Sequence, residues 1–261
     1  MKRIAFILCN LVVPLWFAPA QEPEPDPSAP PTEQAGEANP APAAIAGQPG
    51  TTNNQVTAEG EATEAKLDLK ELMTLPEFTN SSGMVMVKIS DKLWAGKYEV
   101  TQEEYQKVSG GNPSQFSGDR HPVDSVSWND AMSFCAKLTE VEKEAELLPE
   151  GMAYTLPTQA QWESFASGVD LKDAVTGSGA SRSGTSPVGS LGSSAQGLHD
   201  VRGNVWELCL DPQDKPFRVA RGAAWDTFIE INLRPQFRWY TEGPDDRKNT
   251  IGFRCVLVPA K

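Results

Sequence analysis

The pattern of hydrophobic and polar residues predicts short strands and capped helices between residues 84 and 166. Alternation predicts one strand at Met84–Ile89, and a second strand is expected at Trp94–Val100. Three helices are predicted where a hydroxyl residue is followed three positions later by Glu, Asp or Gln, because such pairs cap helix N-termini. The pairs are Thr101 with Glu104, Ser127 with Asp130, and Thr158 with Gln161.

The helix after Ser127 is predicted to be the longest, because apolar residues recur there at helical spacing. Its expected buried face carries Ala131, Phe134, Cys135, Leu138 and Val141. The charged residues are expected mostly on the other faces, and they are Lys137, Glu140, Glu142, Lys143 and Glu144.

Regular periodicity is weaker in the rest of the chain. From Ala166 to Ser194 the sequence is rich in Gly and Ser, which predicts a long loop. Short β-prone pieces follow, such as Phe217–Val219 and Phe253–Val258, with irregular connections between them. We therefore expect one compact α+β domain with little regular secondary structure over residues 66–261.

The first 65 residues have a different character from this domain. Residues 1–20 combine Lys2 and Arg3, an apolar run and a final small-residue site, which is typical of a signal peptide. Residues 21–65 contain eight acids, no Lys or Arg and no aromatic residue, which predicts a disordered Pro/Ala/Glu-rich acidic linker. We expect an exported protein, periplasmic or extracellular, with no transmembrane segment after signal cleavage. An uncleaved N-terminal anchor is the alternative.

The charge balance argues against one class of partner. The formal net charge is −12 over 261 residues, and loss of Lys2 and Arg3 with the signal would make it −14. Such a surface repels nucleic acid, so we expect no nucleic-acid partner.

The most specific stretch is Gly203–Leu208, which reads Gly-Asn-Val-Trp-Glu-Leu. Further motifs surround it in a fixed order: Gly96–Thr101, Pro122–Ala131, Leu156–Glu163, Gly197–Arg202, Arg218–Trp225 and Ile251–Val256. This ordered set resembles the formylglycine-generating enzyme family, also called the sulfatase-modifying factor domain, over about residues 83–258.

The resemblance implies a fold and a cysteine pairing. The fold is a variant of the C-type lectin fold with little regular secondary structure. Export alone indicates that two of the three cysteines of the mature chain pair, without choosing which. The family often joins the positions of Cys135 and Cys255. Cys209 has apolar neighbours and is interpreted as a buried, inert thiol, with a reactive thiol as the alternative.

The resemblance also implies a structural calcium ion in the Gly-Asn-Val-Trp-Glu loop. Its ligands fall on Asp200, the carbonyl groups of Gly203 and Val205, and Glu207. Two carboxylates and two carbonyls are hard oxygen ligands of the kind that Ca²⁺ binds. The alternative is that Asp200 and Glu207 only cap turns. The motif of a second calcium site of the family is not found between Gly168 and Ser194, so we expect that site to be lost.

The redox centre that the resemblance implies is missing. Active members oxidise a cysteine in a Cys-x-Pro-x-Arg segment of sulfatases to formylglycine, with O₂ and a copper ion held by two cysteines. The same register here gives Thr227 and Asn232, which are poor ligands for Cu(I). We therefore expect no copper and assign no catalytic residue. An iron-binding branch uses three histidines, and His121 and His199 cannot fill that site; both are interpreted as surface residues.

A candidate ligand surface remains in the segment from which active relatives build their substrate groove. It carries Trp225, Arg234, Phe237, Arg238 and Trp239. Aromatic rings and guanidinium groups suit a peptide, a protein or an anionic ligand. The alternative is that the aromatic residues belong to the core and the arginines pair with internal acids such as Asp245 or Asp246.

Two functions follow from these expectations. The first is a calcium-stabilised binding or scaffolding module that no longer makes formylglycine. The second is an oxidoreductase of the same family, which converts cysteine to formylglycine in sulfatases or catalyses a related oxidation. It would either work through Cys209 with a different metal arrangement or catalyse another oxidation.

Overall fold

A computed structural model describes residues 69–72, 74–169, 174, 176–177, 183–190 and 192–260. The predicted signal peptide, the predicted linker and part of the Gly/Ser-rich loop lie outside the described residues. The helices are α1 Leu69–Leu72, α2 Gln102–Ser109, α3 Trp128–Glu144 and α4 Gln159–Phe165, with a 3₁₀ turn at Glu230–Leu233. None of them is long and apolar enough to cross a bilayer.

The strands form two sheets. The first has the order β1-β2-β3-β9-β4, with β1 Glu77–Thr79, β2 Val85–Ser90, β3 Leu93–Gly96, β4 Met152–Thr155 and β9 Val256–Pro259. Its neighbouring strands are all antiparallel. The second has the order β7-β6-β5-β8, with β5 Trp206–Leu208, β6 Val219–Arg221, β7 Trp239–Tyr240 and β8 Ile251–Gly252. Only the pairing of β5 with β8 in this sheet is parallel.

The first sheet has a buried cluster on each face. Successive residues of a strand point to opposite faces, and Trp94 and Ala95 of β3 accordingly lie in different clusters. The larger cluster includes α3, where the Phe134 ring stacks on Tyr105 at 5.4 Å and meets Phe253 edge-on at 5.3 Å. The smaller cluster contains Trp162 of α4 and residues of the loop that precedes β5.

All three predicted helix starts are confirmed. Thr101, Ser127 and Thr158 each accept a hydrogen bond from the backbone N–H three residues later, and the side chain of that residue accepts one in return. Helix α2 ends at Gly110, whose left-handed conformation closes the last turn. Local capping chemistry therefore fixes where these helices begin.

One face of α3 was predicted incorrectly near its end. Val141 is 48% exposed, whereas Glu142 is only 2% exposed. The Glu142 carboxylate accepts hydrogen bonds from the Ser81 backbone N–H at 2.7 Å and from the Tyr154 hydroxyl at 3.1 Å. These partners come from distant parts of the chain, so the helical pattern alone could not show that a carboxylate turns inward there.

The predicted second strand is shorter than expected. It ends at Gly96 rather than Val100, and the chain then leaves the sheet. The Gly96 N–H still donates to the Cys255 carbonyl at 2.9 Å, and Val100 N–H donates to Phe253 O at 2.9 Å. The segment after β3 is thus tied to the C-terminal motif, which positions the site described below.

We predict that Asp130→Ala destabilises the domain by about 1–3 kcal/mol, because it removes a helix cap and an ion pair. Asp130 accepts hydrogen bonds from the Ser127 N–H at 2.9 Å and from Arg247 at 2.8 and 3.0 Å. Denaturant unfolding measures the loss, with Glu140→Ala at an exposed position of the same helix as the control. An equal effect of both variants would contradict this role.

The same pair predicts a pH dependence. Burial opposes ionisation of Asp130, but the hydrogen bonds from Arg247 and Ser127 outweigh it and lower the pKa of the carboxyl group. Its contribution to stability is therefore present above the pKa of an unfolded aspartate, about 3.9, and is lost as the pH falls through the lower pKa of the folded state. The stability difference between wild type and Asp130→Ala should disappear over that acidic range.

Candidate functional site

The loop before β5 is held by backbone conformations that few residues adopt. Asp200, Gly203 and Asn204 have φ angles of 59°, 85° and 63°, in the left-handed region. Gly203 N–H donates to Gly222 O at 2.8 Å, and Asn204 O accepts from Trp225 N–H at 2.9 Å. The loop is therefore attached directly to the chain around Trp225.

Asn204 is a connecting residue that the sequence reasoning missed. Its side-chain amide donates to Glu99 Oε2 at 2.6 Å and accepts from Ser186 N–H at 2.9 Å. Glu99 Oε1 in turn accepts from Val205 N–H at 3.0 Å. One amide thus joins the chain after β3, the segment around Ser186 and the loop before β5.

Glu207 forms a fully buried ion pair with Arg254, and both side chains are 0% exposed. Arg254 donates from Nε to both carboxylate oxygens, at 3.2 and 3.0 Å, and from Nη2 to Oε1 at 2.7 Å. The indole N–H of Trp162 donates to Oε2 at 2.8 Å. Burial opposes the charge on Arg254, but attraction to Glu207 outweighs it and raises its pKa.

The other two buried carboxylates are held by N–H donors. Asp200 accepts from Gly189 N–H at 2.6 Å, and Glu99 accepts from Val205 and Asn204 as described above. Burial raises the pKa of Glu99 well above its ordinary value, and repulsion from Asp200 and Glu207 adds to this. Burial also raises the pKa of Asp200, against the opposing effect of the Gly189 N–H.

The carboxylate of Glu207, one of the predicted calcium ligands, is already paired with an arginine. Three N–H groups, from Arg254 Nε, Arg254 Nη2 and Trp162 Nε1, make four contacts with the two oxygens of Glu207. Calcium binding by Asp200 and Glu207 stays a prediction, and it would place the ion beside the positive charge of Arg254.

The positions expected for copper ligands are held by other contacts. Thr227 is buried, and its hydroxyl accepts from Ala224 N–H at 3.1 Å. Thr227 O accepts from Gly177 N–H at 2.9 Å. Asn232 lies in the 3₁₀ turn and donates its backbone N–H to Ile229 O at 2.9 Å. The Thr227 side chain thus closes a turn at the place where active relatives carry a thiolate.

The aromatic residues of the candidate ligand surface are half-buried. Trp225 donates its indole N–H to Asn249 O at 3.1 Å and meets Phe116 edge-on at 5.3 Å. Trp239 stacks on Trp206 at 5.9 Å. These rings pack against the core, as in the alternative interpretation, and each keeps part of its surface exposed.

The arginines do not pair with the acids named in that alternative. Arg238 donates to Gln159 at 2.7 Å and lies 3.6 Å from Glu163. Arg234 is exposed. Asp245 instead accepts from Asn129 at 2.8 Å, and Asp246 pairs with Lys248 at 3.3 Å. Ligand binding by Trp225, Arg234, Arg238 and Trp239 therefore stays a prediction.

An exposed apolar group in the same segment was not foreseen. Phe228 is 72% exposed, Ile231 is 55% exposed and Ile229 is 49% exposed. They follow Thr227 directly. The run Phe-Ile-Glu-Ile is the feature of the sequence that could have indicated them, because its apolar residues continue neither a helical nor a strand pattern. We call Phe228, Ile229 and Ile231 the apolar loop.

Cys135, Cys209 and Cys255 are all buried. The sulfur atoms of Cys135 and Cys255 lie 3.4 Å apart as buried thiols. Cys209 is fully buried, and burial raises the pKa of its thiol well above its ordinary value, which agrees with an inert side chain.

The two histidines, His121 and His199, were expected on the surface and are half-buried instead. His121 Nδ1 lies 2.9 Å from Thr185 Oγ1.

Comparison with known protein families gives a match over most of the chain. Residues 32–258 match the family described as sulfatase-modifying factor enzyme 1-like domain. The chain belongs to this family. The α+β, C-type-lectin-like fold expected from the sequence is thereby confirmed.

Relatives of this sulfatase-modifying factor domain include proteins with different names. The chain is 28% identical to the chaperone protein LppX of Paenibacillus barcinonensis over 222 residues, covering 61% of this chain and 79% of that protein. It is 31% identical to the inactive C-alpha-formylglycine-generating enzyme 2 of Bos taurus over 156 residues, covering 52% of this chain and 50% of that enzyme. The chain therefore spans about half the length of that second relative.

A solved structure resembles the domain. Treponema denticola variable protein 1 superimposes with a TM-score of 0.56 at 25% identity, covering 64% of this chain and 84% of that one. The two proteins therefore share this architecture.

We predict that Glu207→Gln lowers stability by about 3–5 kcal/mol, because the amide N–H₂ group faces the donors of buried Arg254 and leaves that charge unpaired. At this size the melting temperature should fall by roughly 6–20 °C. Calorimetry measures the change, with exposed Glu230→Gln as the control. A melting temperature close to that of wild type would show that the pair does not support the fold.

We predict that the protein forms a Cys135–Cys255 disulfide in an oxidising compartment, since the two sulfur atoms need only close from 3.4 Å to about 2.0 Å. A non-reducing peptide map should give one cross-linked peptide with both residues. Cys209 should react with an alkylating reagent only after unfolding. A cross-link that includes Cys209, or alkylation of all three cysteines without reduction, would contradict the pairing.

Proposed function

We propose that the chain is an exported, non-catalytic binding module of the sulfatase-modifying factor family. The observation that carries the proposal is the identity of the residues at the two copper-ligand positions, Thr227 and Asn232. The Thr227 hydroxyl is engaged in closing a turn, and the segment Trp225–Leu233 contains no cysteine. The buried Cys209 offers no accessible thiolate as a replacement.

The apolar loop is the surface that we propose for binding. Phe228, Ile229 and Ile231 are large exposed apolar residues close together in the chain, which is more than the scattered exposure of ordinary surfaces, and such groups mark contact sites. Exposed Arg234 and Arg238 lie in the same segment of the chain. A suitable ligand would bring apolar side chains to the loop and carboxylates to the arginines.

A protein segment of that kind is the partner that we propose. The apolar residues need a ligand that also loses apolar surface from water, which a small anion cannot supply. The printed name of one relative, a chaperone protein, is consistent with recognition of a polypeptide. The name of another relative, an inactive formylglycine-generating enzyme, is consistent with retention of the fold without the reaction.

Export is part of the same proposal. It is supported by the signal-type pattern of residues 1–20 and by the position of Cys135 beside Cys255, which suits an oxidising compartment. The acidic segment 21–65 would then act as a tether between the N-terminus and the domain.

An array of decapeptides that combine apolar and acidic residues tests the binding surface, with the full chain as the labelled probe. We expect selected peptides to bind, and the double variant Phe228→Ser/Ile231→Ser to bind them roughly 10- to 100-fold more weakly, because two apolar contacts are lost. Val141→Ser is the matched control, since Val141 is an exposed apolar residue on α3, outside the proposed surface.

Two outcomes would contradict the proposed surface. One is the absence of any peptide that binds the wild-type chain above background. The other is equal weakening by the double variant and by Val141→Ser. Thermal melting of each variant shows whether a loss of binding reflects unfolding instead.

A further inference from the structure

Three carboxylates are buried close to the loop before β5. Glu99, Asp200 and Glu207 are 1%, 6% and 0% exposed, and their charges influence one another. Burial of carboxylates is costly unless a cation or hydrogen-bond donors compensate for the lost water. The loop therefore needs positive charge or donors inside the domain.

Arg254 supplies that charge and donates hydrogen bonds to oxygen atoms of three separate segments. Its guanidinium contacts the Glu207 carboxylate of β5, donates from Nη1 to Gly96 O of β3 at 2.8 Å, and donates from Nη2 to His199 O at 2.6 Å. A structural calcium ion in a protein acts in a similar way, since it binds carboxylate and carbonyl oxygens from an irregular loop. Here these oxygens surround a side chain of the protein itself.

The remaining two carboxylates of this group accept hydrogen bonds from N–H groups of the chain itself. Asp200 accepts the Gly189 N–H, and Glu99 accepts the N–H groups of Val205 and Asn204. Both oxygens of Glu207 already accept hydrogen bonds from Arg254 and Trp162, so a divalent metal ion at this carboxylate would lie beside the positive charge of Arg254 and be repelled by it.

We infer that Arg254 takes the place of the structural cation in this domain, so the loop from Leu198 to Glu207 stays folded without a divalent metal ion. This inference replaces the calcium site expected from the family resemblance. It is independent of the proposed binding function, because it concerns the stability of the loop and not the apolar loop or its ligand.

The first test is the calcium dependence of wild-type stability. The purified full chain is treated with excess EDTA, its calcium content is measured by elemental analysis, and it is melted in EDTA and in millimolar calcium. We expect no stoichiometric calcium and melting temperatures that agree within about 1 °C. A specific calcium site would instead raise the melting temperature by roughly 5–10 °C, and that result would overturn the inference.

The second test changes the cation itself. Arg254→Lys keeps the positive charge but loses the fork of donors that reaches Glu207, Gly96 and His199 together. We expect a melting temperature several degrees below that of wild type in both EDTA and calcium. Arg238→Lys, at a half-exposed arginine on the surface, is the matched control and should melt like wild type. Equal melting of Arg254→Lys and wild type would also overturn the inference.

Discussion

The buried pair of Glu207 and Arg254 is the interaction on which the rest of the domain depends. Glu207 lies on β5 of the second sheet, and Arg254 lies between β8 and β9, so the pair links the C-terminal motif to both sheets. The same guanidinium reaches Gly96 at the end of β3, and the same carboxylate reaches Trp162 of α4. The strands of this domain are short and form few ladder hydrogen bonds. The ion pair therefore supplies connections between segments that longer strands would otherwise make.

Local structure was predictable from sequence because its causes are local. The capping boxes at Thr101, Ser127 and Thr158 each involve residues three positions apart, and the structure contains all three. The inward turn of Glu142 was not predictable, since its partners Ser81 and Tyr154 come from other elements. Helical periodicity reports the average face of a helix, and a single buried carboxylate with distant partners departs from that average.

The site was predictable in position but not in its contacts. The motif around Gly203 placed Asp200 and Glu207 in one short segment, as the family resemblance implied, with Asp200 in the loop and Glu207 on β5. Their partners could not be predicted because Arg254 is 47 residues from Glu207 and Glu99 is 105 residues from Asn204. A motif shows which residues belong together in a family, whereas the choice between a metal ion and a guanidinium depends on side chains that converge only in the folded chain.

The proposed function combines the scaffold of the family with the proposed loss of its redox centre. Thr227 uses its hydroxyl to close a turn, and the apolar loop next to it presents side chains to solvent. Selection for an oxidase would keep two thiolates here, while selection for binding needs only a stable fold and an exposed surface. Membership of the family thus specifies the architecture, and the residues of this segment decide what the domain can do.

The most direct test of this account is a search for the aldehyde product. The full chain is incubated with copper, a reductant, O₂ and a peptide that contains Cys-x-Pro-x-Arg, and mass spectrometry follows the cysteine, with an active family member as the positive control. The account predicts that the active enzyme converts the peptide and that this chain leaves it unchanged. Copper-dependent formation of formylglycine by this chain would contradict it.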